Sequence, residues 1–220
     1  MKGTITLKGI IFDLDGTLAN TLPVCFTAFR QAFFEYLNRH FTDEEISSYF
    51  GPSEEGIFQR LVQSEWQACL QMYLDEYEKA HAICEQPFPG IETALSYCQQ
   101  KNIALGIVTG KGRDSAAISL RYLGLEDYFD TIKTGSANGG IKPLAIKSVL
   151  EKWKIAPECV AYVGDSPSDM VDAKEVGVIP LAAAWAKTAS FERLEAMAPL
   201  ATFSTVENFI DWIRLHGQIQ

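Results

Sequence analysis

Residues 9–17 read GIIFDLDGT, an apolar run that ends in two aspartates, a glycine and a threonine. A short apolar run with β-branched residues and bounding glycines is typical of a buried strand in a parallel sheet. Asp13 and Asp15 lie two positions apart, so their side chains leave an extended chain in the same direction. A turn explains Asp15 and Gly16, but a buried Asp13 needs a partner. A bound cation would relieve both charges, and oxygen ligands suit Mg²⁺.

Apolar runs of the same kind recur along the chain and alternate with helical patterns. The runs cover residues 103–109, 129–134, 159–164 and 178–183, with a weaker one at 201–204. Strands that alternate with helices indicate βαβ units and a mostly parallel sheet. The sequence therefore predicts an α/β protein with a Rossmann-like, doubly wound parallel sheet.

The helical patterns place apolar residues at spacings of three and four positions. In one helix Ala117, Leu120 and Arg121 share a face, and Gly124 is the expected end. The last helix is expected to begin with a capping box headed by Ser204. The other apolar faces contain Ile91, Ala94, Leu95 and Cys98, then Ile146, Val149, Leu150 and Trp153, and finally Val206, Phe209, Ile210 and Ile213.

One region breaks this alternation. Residues 22–85 contain no convincing strand pattern, and their aromatic residues recur at helical spacing. The sequence therefore predicts an all-α insertion at residues 20–86, within an α/β core made of residues 1–19 and 87–220. The aromatic residues are expected to form the core of the insertion. An insertion after the first strand lies over the carboxyl end of the sheet, where open α/β sheets bind ligands.

The composition restricts the classes of function. The chain has 220 residues and a formal net charge of −9, whereas a general affinity for nucleic acid requires a basic surface. No apolar run reaches the length of a membrane span, and residues 1–7 do not form the apolar part of a signal peptide. The five cysteines are scattered and are expected to be reduced and structural. These features predict a cytoplasmic protein with neither nucleic acid nor a membrane as its partner.

A second pair of aspartates follows the run at residues 159–164. Asp165 again stands where an apolar strand is expected to end, and Asp169 comes four residues later, in the first turn of a helix. Two interpretations of Asp169 stay open, because it could cap that helix or orient a metal-bound water. Asp165 and Asp169 are therefore candidate metal-site residues beside Asp13.

Two further strand ends carry groups that could bind phosphate. Thr109 and Gly110 end the run at residues 103–109, and a hydroxyl with exposed amides there could contact phosphate oxygens. The glycine spacing, and the absence of a serine or threonine after Lys111, exclude a P-loop. Lys142 follows a glycine turn and is expected to begin a helix. Alone it is typical of a surface lysine, but with the other strand-end groups it becomes a candidate phosphate clamp.

The four motifs together resemble those of the haloacid dehalogenase superfamily of phosphohydrolases, and the resemblance covers nearly the whole chain. Residues 13–18 (DLDGTL) look like the first motif of the family, Thr109 like the second, Lys142 like the third and residues 164–169 like the fourth. The all-α insertion is similar to the cap domain of the family. The Asp-Gly-Thr ending of the first motif is similar to that of phosphoglycolate-phosphatase-like members.

The resemblance implies a role for each aspartate. Asp13 would be the nucleophile and form an aspartyl-phosphate, and Asp15 would protonate the leaving oxygen and later activate water. Mg²⁺ would be held by Asp13, the backbone carbonyl of Asp15 and Asp165, with Asp169 in support.

The resemblance also implies that Thr109, Gly110 and Lys142 bind the phosphoryl oxygens and that the cap closes over them. The implied function is a magnesium-dependent phosphatase acting on a small phosphorylated metabolite. The alternatives are a sugar phosphomutase or an inorganic pyrophosphatase of the same superfamily, or a non-catalytic phosphate-binding module. A phosphonate hydrolase would need a cap lysine, and Lys79 is expected to be exposed. Arg60 could contact a substrate carboxylate or second phosphate, although a surface ion pair is the simpler interpretation.

Overall fold

A six-stranded parallel sheet lies at the centre of the computed structural model, which describes residues 6–216. The strands are β1 (Gly9–Phe12), β2 (Ala104–Val108), β3 (Thr131–Lys133), β4 (Val160–Gly164), β5 (Ile179–Ala183) and β6 (Ala201–Phe203). Their order across the sheet is β3-β2-β1-β4-β5-β6, and every neighbouring pair is parallel. This order confirms the predicted α/β class and the doubly wound sheet.

The order in which strands are added to the sheet reverses at β1. The strands β2 and β3 are added on one side of β1, whereas β4, β5 and β6 are added on the other side. The residues that follow β1, β2 and β4 therefore meet at one edge of the sheet. This edge is the switch point at which open α/β sheets bind ligands.

A group of helices follows β1 before the next strand. They are α1 (Leu22–Leu37), α2 (Asp43–Ser47), α3 (Glu54–Leu61) and α4 (Trp66–Ala80), and we call residues 20–86 the helical segment. Aromatic rings form the centre of their packing: the centroids of Phe29 and Tyr73 are 4.5 Å apart, and those of Phe33 and Phe58 are 5.8 Å apart. Within the described chain, residues 20–86 contain no strand. The movement of this segment as a separate cap domain stays a prediction.

Further helices alternate with the strands and cover both faces of the sheet. They are α5 (Ile91–Gln100), α6 (Arg113–Leu123), α7 (Lys142–Trp153), α8 (Pro167–Val176), α9 (Phe191–Glu195) and α10 (Val206–His216). On β1, Ile10 and Phe12 belong to the apolar cluster that contains α5 and α10, whereas Ile11 packs in the opposite cluster with α7. A strand that is buried on both faces is apolar at every position, as β1 is.

The buried face of α6 differs from the prediction. Ala117 and Arg121 are exposed, whereas Ser115 and Ser119 face inward. The hydroxyl oxygen of Ser119 lies 2.7 Å from the hydroxyl oxygen of Tyr77 in α4, so the polar group keeps a hydrogen bond when it is buried. Apolar periodicity cannot detect this face because it counts serine as polar.

The beginning of α10 also differs from the prediction. The helix starts at Val206, and its first turn is capped by Thr205, whose Oγ1 accepts the N–H of Asn208 at 3.2 Å. The capping box predicted from Ser204 and Glu207 is therefore wrong by one residue. An N-cap hydroxyl has to stand immediately before the first helical residue, and that position belongs to the threonine of the Ser-Thr pair.

Candidate active site

A cavity of about 710 Å³ lies between the strand ends and the helical segment. Its floor consists of residues that follow β1, β2, β3 and β4, and its roof comes from α1, α3 and the connection that precedes α3. The predicted site residues that line this cavity are Asp13, Asp15, Thr109, Gly110, Lys142 and Asp165. Asp169 lies behind them and is fully buried. The structure thus brings together the groups that the sequence placed at separate strand ends.

Lys142 joins two of the aspartates at the first turn of α7. Its Nζ donates to Asp13 Oδ2 at 2.9 Å and to Asp169 Oδ1 at 2.6 Å. Burial alone would lower the pKa of Lys142, but the charges of the two aspartates outweigh it, and the pKa is raised well above its ordinary value. Lys142 is therefore a fixed positive charge on the floor of the cavity rather than a surface lysine.

Asp169 caps a helix, as the first of the two interpretations from the sequence expected, and its role toward a metal-bound water stays a prediction. Its Oδ2 accepts the N–H of Ser166 at 3.1 Å and the Ser166 hydroxyl at 2.6 Å, which completes a capping box at the start of α8. Its Oδ1 accepts from Lys142 and, at 3.3 Å, from the hydroxyl of Tyr162. The same side chain therefore caps a helix and holds the lysine that faces the cavity.

Asp13, Asp165 and Asp169 form a cluster of carboxylates suited to a cation. Each offers one oxygen, and these oxygens lie within 4.8 Å of one another. Burial raises the pKa of Asp13 to about 6, with Lys142 opposing this shift and Asp169 adding to it. Burial, followed by the charges of Asp13 and Asp169, raises the pKa of Asp165 to about 8. A divalent cation would offset this repulsion, and a donor set made only of oxygens fits Mg²⁺.

Gly16 allows the first and fourth motifs to approach each other. Its φ is 75°, in the left-handed region that favours glycine. A Cβ atom at this position would lie 2.7 Å from Cγ of Asp165. The glycine that turns the chain after Asp15 therefore also makes room for the carboxylate of Asp165.

Gly16→Ala is expected to lower both stability and activity. The strained backbone should cost about 1–3 kcal/mol of unfolding free energy, as measured by urea denaturation, and the displaced Asp165 should lower the activity of the site. Gly124→Ala is the matched control, since Gly124 has a φ of 65° but no atom within 4 Å of the added Cβ. Equal activity in the two variants would show that the close approach to Asp165 does not matter.

Thr109 and Gly110 lie beside these charges at the end of β2. Thr109 is buried, and its Oγ1 accepts the N–H of Lys111 at 3.2 Å, which fixes the turn. A Cβ atom at Gly110 would meet nothing within 4 Å, so the backbone of Gly110 faces open space in the cavity. This turn can therefore present backbone and hydroxyl groups to an anion held near Lys142.

Sequence reasoning missed two charged residues at the site, Lys111 and Glu54. Lys111 Nζ donates to Asp15 Oδ1 at 3.3 Å, and Glu54 Oε1 lies 4.0 Å from the same Nζ. The position of Lys111 directly after the candidate residues Thr109 and Gly110 is a sequence signal that points to it. Glu54 had no comparable signal, because its place depends on how α3 packs against α6.

Arg60 and Lys79, two basic residues of the helical segment, do not reach the cavity. The guanidinium carbon of Arg60 lies 5.6 Å from the centre of the Tyr49 ring, and Arg60 is not among the residues that line the cavity. The Lys79 side chain is 71% exposed and pairs with Glu76 at 2.8 Å. Arg60 is therefore not placed to contact a substrate in this structure, and the exposure expected for Lys79 is confirmed.

The chain belongs to the haloacid dehalogenase-like hydrolases. The model of that family, described as haloacid dehalogenase-like hydrolase, matches residues 10–183. The match begins in β1 and ends in β5, and thus includes every residue of the site described above. The protein is therefore an enzyme of this hydrolase family.

Relatives of known name and structure agree with this assignment. The chain is 30% identical over 183 residues to pyrophosphatase PpaX of Oceanobacillus iheyensis, and the aligned region covers 82% of this chain and 85% of the relative. It is similar to the haloacid dehalogenase-like hydrolase SP0104 of Streptococcus pneumoniae, at 26% identity and a TM-score of 0.75, with coverage of 94% and 98%. The fold is also that of CbbY from Rhodobacter sphaeroides, solved in complex with phosphate, at 17% identity and a TM-score of 0.75, with coverage of 91% and 95%. In residues 6–216, no helix has the length and apolar character needed to cross a membrane.

Proposed function

We propose that the protein is a magnesium-dependent phosphatase that hydrolyses a small phosphomonoester through an aspartyl-phosphate on Asp13. The observation that carries this proposal is the position of Asp13 on the floor of the cavity, 2.9 Å from the charged Lys142 and beside a second carboxyl group, that of Asp15. A nucleophile, a phosphate-binding cation and a proton donor are the groups that such a reaction needs. The free cysteines, four of them buried, agree with a cytoplasmic enzyme.

The reaction has two steps, and the protein supplies the same side chains to both. In the first, a carboxylate oxygen of Asp13 attacks phosphorus, the bond to the leaving oxygen breaks, and Asp15 gives that oxygen its proton. In the second, water attacks the phosphorus of the aspartyl-phosphate, Asp15 takes a proton from the water, and the Asp13 carboxylate is released with inorganic phosphate. Lys142, Thr109 and Gly110 hold the phosphoryl oxygens throughout.

Mg²⁺ would be held by Asp13, the backbone carbonyl of Asp15 and Asp165. Asp169 would act in support, through its contacts with Lys142 and the start of α8. When bound, the cation supplies positive charge that offsets the carboxylates and the phosphoryl oxygens.

The roof of the cavity supports a phosphomonoester with an uncharged leaving group. Leu22, Phe50, Pro52 and Ile57 present apolar surface above the floor. Both lysines that line the cavity already lie against carboxylates, so neither offers an uncompensated charge to a second anionic group. The helical segment would thus act as the predicted cap, contacting the leaving group and excluding water.

Hydrolysis of pyrophosphate is a second candidate function, because the relative with 30% identity is named a pyrophosphatase. The two candidates differ in the charge of the leaving group. Phosphate release with Mg²⁺ should be measured on a panel of phosphomonoesters, including sugar phosphates, nucleoside monophosphates and phosphoglycolate, and on pyrophosphate. We expect kcat/KM to be higher for at least one ester with an uncharged leaving group than for pyrophosphate or phosphoglycolate. A preference for pyrophosphate would replace the first candidate with the second, and isomerisation of a sugar phosphate with little phosphate release would indicate a mutase.

A further inference from the structure

A buried lysine connects the proton donor of the proposed reaction to the helical segment. Lys111 follows β2, and only 4% of its side chain is exposed. Its Nζ donates to Asp15 Oδ1 at 3.3 Å and to the sulfur of Cys25 at 3.0 Å, and it lies 4.4 Å from the centre of the Tyr77 ring. The Cys25 thiol itself donates to Asp15 Oδ1 at 3.9 Å, so the sulfur acts as a neutral acceptor for the N–H of Lys111. Lys111 therefore relies on carboxylates for compensation of its charge.

The second carboxylate near Lys111 comes from the first residue of α3. Glu54 is 5% exposed, and its Oε1 lies 4.0 Å from Lys111 Nζ. The same carboxylate accepts the hydroxyl of Ser115 at 2.6 Å and the backbone N–H of Gly112. These donors stand at the start of α6, where the helix dipole favours a negative charge. The side chain of Glu54 thus extends from the helical segment to the α/β core, where Ser115 and Gly112 bind it. Within the helical segment, the hydroxyl of Tyr73 lies 3.4 Å from the same carboxylate.

The contacts of Asp15 are unequal at its two carboxylate oxygens. Oδ1 accepts the hydroxyl of Thr21 at 2.5 Å as well as the N–H of Lys111. In the part of the chain that the structure describes, Oδ2 accepts no hydrogen bond from the protein, and Asp15 lines the cavity. The Cys25 thiol also donates to Oδ1, at 3.9 Å. The three donors on Oδ1 therefore fix the plane of the carboxyl group and leave Oδ2 for a substrate or water.

We propose that Lys111 is a positioning residue that holds the carboxyl group of Asp15 for proton transfer, and that Glu54 holds Lys111 in that place when the helical segment lies against the core. This role rests on the proposed function, since it concerns the proton that Asp15 gives to the leaving oxygen. It makes proton transfer depend on a residue of the helical segment that touches no reacting atom. Among the described residues, Glu54 has no hydrogen bond to Lys142, Thr109 or Gly110, so we expect binding of the phosphoryl group not to share this dependence.

The test compares two esters of nearly equal size whose leaving groups differ in their need for a proton. p-Nitrophenolate leaves readily without protonation, whereas phenolate is more basic and benefits from a proton donor. The value of kcat/KM includes the departure of the leaving group but not the later hydrolysis of the aspartyl-phosphate. A misplaced Asp15 should therefore lower kcat/KM more for phenyl phosphate than for p-nitrophenyl phosphate.

Lys111→Met removes the charge and keeps the length of the side chain. We expect kcat/KM to fall about tenfold more for phenyl phosphate than for p-nitrophenyl phosphate. Glu54→Gln should show the same selectivity with a smaller fall, and the double variant should lose no more than Lys111→Met, because Glu54 acts through Lys111. Glu55→Gln is the matched control, as it removes a charge from the same turn, and it should leave the ratio of the two kcat/KM values unchanged.

Several outcomes would overturn the proposal. Equal falls on both esters would mean that Lys111 and Glu54 only join the helical segment to the core, and additive losses in the double variant would separate their roles. If Lys111→Met does not fold, the ratio of the two kcat/KM values in Glu54→Gln decides the test. We expect that variant to fold, because glutamine keeps an oxygen for the N–H of Gly112. A wild-type protein that releases phosphate from neither ester, nor from the wider panel, would contradict the proposed function itself.

Discussion

Asp13→Asn is expected to lower kcat/KM for p-nitrophenyl phosphate by about 10⁴-fold or more, because an amide oxygen is a poor nucleophile toward phosphorus. The change is nearly isosteric, and the amide oxygen can keep one of the two donors on Asp13, which are Lys142 Nζ and the N–H of Leu14 at 2.8 Å. We expect the melting temperature to shift by only a few degrees. The measurement is the initial rate of p-nitrophenolate release with Mg²⁺ present.

The control for this variant is Asp211→Asn. Asp211 lies on α10, its side chain is 68% exposed, and it pairs with Arg214 at 3.1 Å, away from the cavity. Its loss should leave the rate unchanged. If Asp13→Asn retains activity within a few-fold of the wild type while remaining folded, Asp13 is not the nucleophile.

Asp15→Asn is expected to slow turnover by about 10²–10⁴-fold and to trap the aspartyl-phosphate. p-Nitrophenolate leaves without a proton, so Asp13 can still be phosphorylated by p-nitrophenyl phosphate. Hydrolysis of the intermediate then lacks its base, because an asparagine amide cannot take a proton from water. Mass spectrometry of the intact protein should show one added phosphoryl group after brief incubation with the ester.

The doubly substituted protein, with Asp13→Asn and Asp15→Asn, distinguishes the intended intermediate from phosphorylation elsewhere. It should gain no phosphoryl group under the same conditions. Unchanged steady-state phosphate release by Asp15→Asn alone would contradict the acid and base roles of Asp15, and an added phosphoryl group in the double variant would place the modification on another residue.

The sheet and most of the site could be predicted from the sequence for one physical reason. Strands of a parallel sheet that are buried on both faces must be apolar, so each strand is visible as a run, and their carboxyl ends must lie at one edge. Asp13, Thr109 and Asp165 follow three such runs, and the structure places all three at one cavity. Lys142 could be added because it begins a helix next to the same edge.

The contacts of the helical segment could not be predicted in this way. The bond from Ser115 to Glu54 joins residues 61 positions apart, on helices whose mutual packing has no periodic signature in the sequence. A buried Lys111 is also unexpected from composition, because lysines are almost never fully buried without a partner, and its partners lie on four different segments of the chain. Local patterns describe elements, whereas these contacts follow from how α1, α3 and α6 meet.

The central position of β1 has a consequence for the entropy of the reaction. β1 is hydrogen-bonded to β2 on one side and to β4 on the other, and the N–H of Asp13 itself donates to the carbonyl of Val163 at 2.9 Å. A reactive group on a mobile loop would lose freedom each time it met a substrate. Here the chain lost that freedom once, when the sheet formed. If Asp13 is the nucleophile, as we propose, the ordering of its carboxylate therefore belongs to the free energy of folding and not to the barrier of each turnover.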